Sequence, residues 1–295
     1  ANAQLLVQQG VQMQVPVPSP VLNLSVGAAS GAFATSPTVS GGSLRDWEPK
    51  IATTTDGGYV VVWRKEISTE NYKVVYQKFD ASHNKVGSEV DVSGWGSGGE
   101  PQVTAMADGG FVIVSGNGFQ DLYVNRYNSS NTLVSSTTLK PSNTSNVYAD
   151  VTALGDGGYV VSWTNQSEIY IQRFNSANAL VGTTKVIDGA STSDRDPLVV
   201  ATPDNGYVVV WSTFNPTDIF VQKFGSDNNP VGSEVALNNP NGGTDQRPDV
   251  TVLKDGSYVV TWEWTNNSNG NVYVQKFNSN GTTAGSMIKI GRAHV

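Results

Sequence analysis

The sequence predicts an all-β fold, a β-propeller of four-stranded antiparallel blades. Three observations predict it. The phrase DGGYVVVW (56–63) returns as DGGFVIVS (108–115), DGGYVVSW (156–163), DNGYVVVW (204–211) and DGSYVVTW (255–262). The leading aspartates, Asp56, Asp108, Asp156, Asp204 and Asp255, are about 48 to 52 residues apart, a period typical of propeller blades. Finally, further phrases recur around each copy, so the repeat is a unit of four segments.

The first segment precedes each Asp and is led by Pro or Asp: PKIATTT, PQVTAMA, DVTALG, PLVVATP and PDVTVLK. The Asp-Gly step that follows is a hairpin turn, because Gly accepts positive φ at little steric cost. Segments one and two therefore pair antiparallel. In the second segment Val60 and Val62 face one way and Tyr59, Val61 and Trp63 the other, so neither face is polar. A strand apolar on both faces has to be covered on both. The third segment, about 20 residues on, reads VVYQKFD (74–80), LYVNRYN (122–128), IYIQRFN (169–175), IFVQKFG (219–225) and VYVQKFN (272–278). It is expected to alternate, with Val74 and Tyr76 inward and Gln77 and Lys78 polar. The fourth, VGSEVDV (86–92), VGTTKVI (181–187) or VGSEVAL (231–237), is weakly apolar and suits an outer rim. Four strands graded from buried to exposed and repeated radially describe stacked blades. A β-sandwich is the runner-up, but it does not normally call for five matching copies.

Five repeats are expected at about 45–97, 98–146, 147–193, 194–244 and 245–290, together one propeller domain over 45–290. Residues 1–44 read as linker and partial blade strand, with AFATSPTVSGG (32–42) similar to a fourth strand and its exit loop. A closed five-bladed ring and part of a six- or seven-bladed ring both fit. The C-terminal IGRAHV resembles the translation of a sequencing-adaptor read-through, so 291–295 is expected to be an artefactual tail and His294 is set aside. Ala1-Asn2-Ala3 looks like the small-residue end of a signal peptide.

A net charge of -7 and a pI near 4.8 argue against nucleic-acid or anionic-membrane partners, which require clustered Lys and Arg. Apolar runs such as YVVVW are strand-sized, far below the roughly 20 residues of a membrane span. Cysteine is absent, which excludes disulfides and thiolate chemistry. Only 15% of residues are charged, and the Gly-, Ser-, Thr- and Asn-rich composition suits a secreted or cell-surface protein.

The phrases DGGYVVVW and VYVQKF, followed by a turn and VGSEV, resemble the repeats of very large secreted bacterial surface proteins, adhesin-like and associated with hemolysin-type calcium-binding repeats. The resemblance covers about five-sixths of the chain and implies an extracellular adhesion role. The Gly- and Asp-rich calcium-binding nonapeptide of such proteins is not present in this sequence, so calcium does not follow from the resemblance.

Trp63, Trp163, Trp211 and Trp262 recur and read as packing between blades. Trp47, Trp95 and Trp264 break the pattern and are expected in loops on one face, which makes them candidates for glycan or protein contact. Asp46, Arg195 and Arg247, in the segments that lead into strand one, join them as ligand-binding candidates. Other acids there, including Glu48, Asp150, Asp194 and Asp245, raise the alternative of glycoside hydrolysis by paired carboxylates. The loops vary without one special acid set, so no catalytic residue is assigned. GWGSGG (94–99) satisfies a dinucleotide pattern, but a strand rather than a helix follows it. His83 has no histidine partner outside the tail, and no metal ligands are assigned; weak calcium binding by loops such as NNPNGGTDQR (238–247) is left open. The expected role is a noncatalytic module for adhesion or carbohydrate or protein recognition, without a cofactor. A structural spacer or a subunit of an extracellular filament or coat is the alternative, and a glycosidase comes third.

Overall fold

The structure, a computed structural model, describes residues 45–69, 71–92, 100–116, 121–139, 148–165, 168–187, 194–213, 218–237, 242–266 and 269–293. Blade I consists of β1 (Asp46–Thr53), β2 (Tyr59–Ser68), β3 (Asn71–Phe79) and β4 (Lys85–Asp91). Blade II consists of β5 (Gln102–Ala105), β6 (Phe111–Gly116), β7 (Leu122–Tyr127) and β8 (Leu133–Leu139). Blade III consists of β9 (Ala149–Ala153), β10 (Tyr159–Asn165), β11 (Glu168–Phe174) and β12 (Leu180–Val186). Blade IV consists of β13 (Asp194–Ala201), β14 (Tyr207–Thr213), β15 (Ile219–Phe224) and β16 (Pro230–Leu237). Blade V consists of β17 (Thr244–Val252), β18 (Tyr258–Asn266), β19 (Asn269–Phe277) and β20 (Ile288–Ala293). Each is an antiparallel sheet in sequence order, as the repeat predicts, and no helix occurs among the described residues. The last strand runs three residues past 290, pairing Gly291 with Val272 and Ala293 with Gly270. Residues 1–44 and the GWGSGG segment lie outside the described residues.

The turns follow from their side chains. Between strands one and two, Gly57, Gly109, Gly157 and Gly256 hold φ between 80° and 84°, and Asn205 takes the same place at 62°. The Asp before each accepts the amide two residues on, as Asp56 Oδ1 does from Gly58 N at 3.0 Å. Between strands three and four, His83, Asn131, Asn178, Asn228 and Gly281 are left-handed at the same position.

Blade-to-blade packing repeats one interface. Val60, Val62, Val74 and Tyr76 of blade I share a core with Phe111, Ile113 and Tyr127 of blade II. Val112, Val114 and Val124 meet Tyr159, Val161, Trp163 and Phe174 of blade III. Val160, Ile169 and Ile171 meet Tyr207, Val209, Trp211 and Phe224 of blade IV, and Val208, Val210, Ile219 and Val221 meet Tyr258, Val260, Trp262 and Phe277 of blade V. One face of each second strand thus packs forward and the other backward, which is why neither is polar. The inner strands β1, β5, β9, β13 and β17 each touch the next in that order.

The third strand departs from the expected alternation. Gln77 and Lys78 are both buried, as are Gln172, Arg173, Gln222 and Lys223. Buried polar groups need partners, and both positions have them. The ladder to strand four skips at the Gln, between Tyr76 and Lys78, Ile171 and Arg173, and Val221 and Lys223. Into that irregularity Gln77 Nε2 donates to the carbonyl of Lys78 at 2.9 Å, Gln172 Nε2 to that of Arg173 at 2.8 Å and Gln222 Nε2 to that of Lys223 at 2.7 Å. The following basic residue reaches its own blade's turn carboxylate: Lys78 to Asp56 at 3.1 Å, Arg126 to Asp108 at 2.5 Å, Arg173 to Asp156 at 2.5 Å and Lys223 to Asp204 at 2.7 Å.

Candidate binding site

The strand-one segments share a local motif that repeat alignment alone does not bring out. Asp46-Trp47-Glu48-Pro49, Asp194-Arg195-Asp196-Pro197 and Asp245-Gln246-Arg247-Pro248 all read Asp-x-x-Pro. Pro removes a ladder donor, and the residue before it is left-handed, with φ 55° at Glu48, 53° at Asp196 and 53° at Arg247. Pairing with strand two skips there in all three blades, between Trp47 and Lys50, Arg195 and Leu198, and Gln246 and Asp249. Asp46, Trp47, Arg195 and Arg247, expected in loops, therefore lie on bulged strands, at the same end of blades I, IV and V.

Trp47 is the candidate with the most developed surroundings. It is half-buried. Its ring meets Tyr72 edge-on at 4.9 Å, and the Arg64 guanidinium lies 5.5 Å from the Trp47 centroid and 5.0 Å from that of Tyr72. Glu48 accepts from Arg64 Nη1 at 3.0 Å, holding the cation over both rings. Cation–π contacts of this kind contribute about 0.5–2 kcal/mol depending on desolvation. Blade V has the same salt bridge with the charges exchanged: Arg247, at the position of Glu48, pairs with Glu263, at the position of Arg64, at 2.9 Å. The aromatic part is not repeated there, since Gln246 stands at the position of Trp47. Beside this cluster a groove of about 310 Å³ runs along blade I, lined by Asp46, Trp47, Pro49, Val61, Trp63 and Phe79.

Other candidates take structural places. Trp264 lies in β18, not in a loop, and is buried. Its Nε1 donates to the Gly242 carbonyl at 2.7 Å, and Gly243, at φ 118°, leaves no room for a Cβ against the indole. Trp264 therefore anchors the approach to β17 instead of presenting a ligand surface. The sequence misplaces it because β18 continues beyond the repeated phrase. Asp245 accepts from Trp262 Nε1 at 2.8 Å, a buried bond that ties strand one to strand two. Arg195 stands 3.8 Å from Asp196. Trp95 lies outside the described residues.

Among the other acids, Asp150 joins two blades, accepting from Val199 N of β13 at 2.8 Å and from Val151 N at 2.9 Å. Burial pushes its carboxyl up to about 6, opposed by those amides and by Lys50. Asp56 is held down at about 2 by the Thr54 hydroxyl, then by the Gly58 amide and Lys78. Among the described residues, no group of three or more His, Cys, Asp or Glu side chains comes together. No described helix is long and apolar enough to cross a membrane.

No protein family and no curated protein matches the chain. Solved structures do, at low identity. An ulvan lyase, a polysaccharide lyase bound to -[GlcA(1-4)Rha3S]-, is similar with a TM-score of 0.58 and 9% identity over 83% of this chain and 69% of its own. A neuraminidase-like protein (A/flat-faced bat/Peru) gives 0.53 and 10% over 84% and 73%. A protein of unknown function from Dyadobacter fermentans gives 0.53 and 11% over 84% and 83%. At these identities the likeness shows the fold alone: a propeller-like arrangement of repeated four-stranded blades.

Proposed function

We propose that the chain is a noncatalytic recognition module of a secreted or surface-displayed protein, binding a glycan or protein through the strand-one end of blade I. The observation that carries this reading is the Trp47–Tyr72–Arg64 cluster. Structural features of this chain recur blade after blade, as the turn aspartates, the Gln–Lys pairs and the packed Trp residues do. The cluster occurs in blade I, with Arg195 and Gln246 at the Trp47 position of blades IV and V. A half-buried aromatic pair carrying a fixed cation offers flat apolar area and a hydrogen-bond donor, the combination used to stack on a sugar face or anchor a protein partner. The resemblance to repeats of large bacterial surface proteins supports the extracellular setting.

Three acids of this region support a role without catalysis. Glu48 and Glu263 are engaged by arginines and Asp245 by an indole, so they serve geometry. The test is a broad glycan array, with and without calcium, probed with the full chain and with a Trp47→Ala, Trp95→Ala double variant of unchanged circular dichroism. Binding by the parent that the double variant loses is the expected result. Turnover of a bound polysaccharide by the parent would replace this reading with a glycosidase or lyase.

A further inference from the structure

Among the described residues the stacking of the blades is incomplete at both ends, and the two end faces have defined chemistry. Across each of the four cores, one blade presents its Tyr/Phe–Val/Ile–Trp/Ser face backward to the Val-rich face of the blade before it. In blades III and IV this backward face is closed, with Tyr159, Val161, Trp163, Tyr207, Val209 and Trp211 all buried. The same face of blade I, made by Tyr59, Val61, Trp63 and Phe79, is only half-buried, and Val61, Trp63 and Phe79 line the groove. At the other end, Val259, Thr261, Val272 and Val274 of blade V are half-buried where Val208, Val210, Ile219 and Val221 of blade IV are closed. Among the described residues no core joins blade V to blade I, in contrast to every consecutive pair.

A polar feature marks the same seam. Lys78 of blade I donates to the Ser129 carbonyl of blade II at 2.9 Å, and Arg173 of blade III donates to the Ser226 carbonyl of blade IV. Lys185 of blade III adds a bond to the Asn228 carbonyl at 2.5 Å. At two of the four interfaces, I–II and III–IV, the basic side chain of the third strand thus pins the outer turn of the blade that follows. Ala81 holds the position of Ser129 and Ser226 in the outer turn of blade I, and Lys276 of blade V, at the position of Lys78, is exposed.

We propose that the open face of blade I is the seat of a further blade of this same repeat type. That blade presents a Val-rich forward face to Tyr59, Val61, Trp63 and Phe79 and a third-strand Lys or Arg to the Ala81 carbonyl. The occupant is specified by chemistry: the face is the backward half of an interface that the chain builds four times, and the acceptor for the pinning cation is in place. By the same correspondence, blade V presents the forward half.

The absence of cysteine makes a direct test possible. Val61→Cys is prepared in the full chain, and again in a chain carrying a duplicate of residues 194–243 immediately before Arg45; Val208→Cys, inside the core between blades IV and V, is the protected control. Thiol labelling of position 61 is expected to be fast in the first protein and at least about tenfold slower in the second, approaching the control. An unchanged rate in a folded, duplicated chain would overturn the proposal. Slow labelling of the unduplicated chain that quickens on dilution, with a matching change of mass by light scattering, would also overturn it, because a second copy would then cover the face.

Discussion

His83 shows how a single residue sets the quality of a turn. Its four counterparts are Asn131, Asn178, Asn228 and Gly281, residue types that tolerate a left-handed backbone. His83 adopts φ 67° at a steric cost and receives in return a contact to the Tyr59 hydroxyl and stacking on Phe79. Asn228 makes the same hydroxyl bond with Tyr207. His83→Asn therefore keeps the polar partner and relieves the backbone, and is expected to stabilise the protein by about 0.5–1 kcal/mol in urea unfolding. Asp56, in the turn between strands one and two, acts through protonation. Asp56 has a folded-state value of about 2, below that of an unfolded carboxyl near 4. The stability it contributes is thus complete above about pH 4 and lost as pH falls toward about 2. The deficit of Asp56→Asn relative to the parent should be visible in unfolding at pH 5 and should shrink steadily toward pH 2.

For the blade as an element, position in the stack matters as much as residue type. Trp63 and Trp211 occupy the same place in their repeats, yet Trp211 is fully buried against blade III while Trp63 faces the groove. Trp211→Ala should cost about 3–5 kcal/mol, as expected for a buried aromatic, and Trp63→Ala less than about half of that. Equal losses would mean that both faces are closed in solution. The sequence made the blade itself legible, because Asp-Gly turns and doubly apolar second strands have a period that no other element produces. It did not reveal the burial of Gln77 and Lys78. Polar residue types read as outward-facing, and only the folded blade shows the carbonyl that receives Gln77 at the irregular pairing with strand four and the turn carboxylate of Asp56 that receives Lys78. Trp47 and Trp264 looked alike in the sequence as non-repeating aromatics. They separate only once β18 is seen to extend through Trp264 and fold its indole onto Gly242.

At the scale of the whole molecule, the repeat is a stack whose stability is shared between neighbours. No blade buries both apolar faces alone, so each depends on the blades beside it, and among the described residues blades I and V pack against one neighbour each. The number of blades needed to complete the stack was left open by the sequence, since repeats report how a unit packs and say nothing of how many surround the axis. Amide hydrogen exchange across the full chain tests this account most directly. It should show β10 and β14 exchanging slowest, with β2 and β18 opening sooner although their phrases are nearly the same. Equal protection of the second strands in all five blades would contradict an open stack and require that the faces of blades I and V be covered.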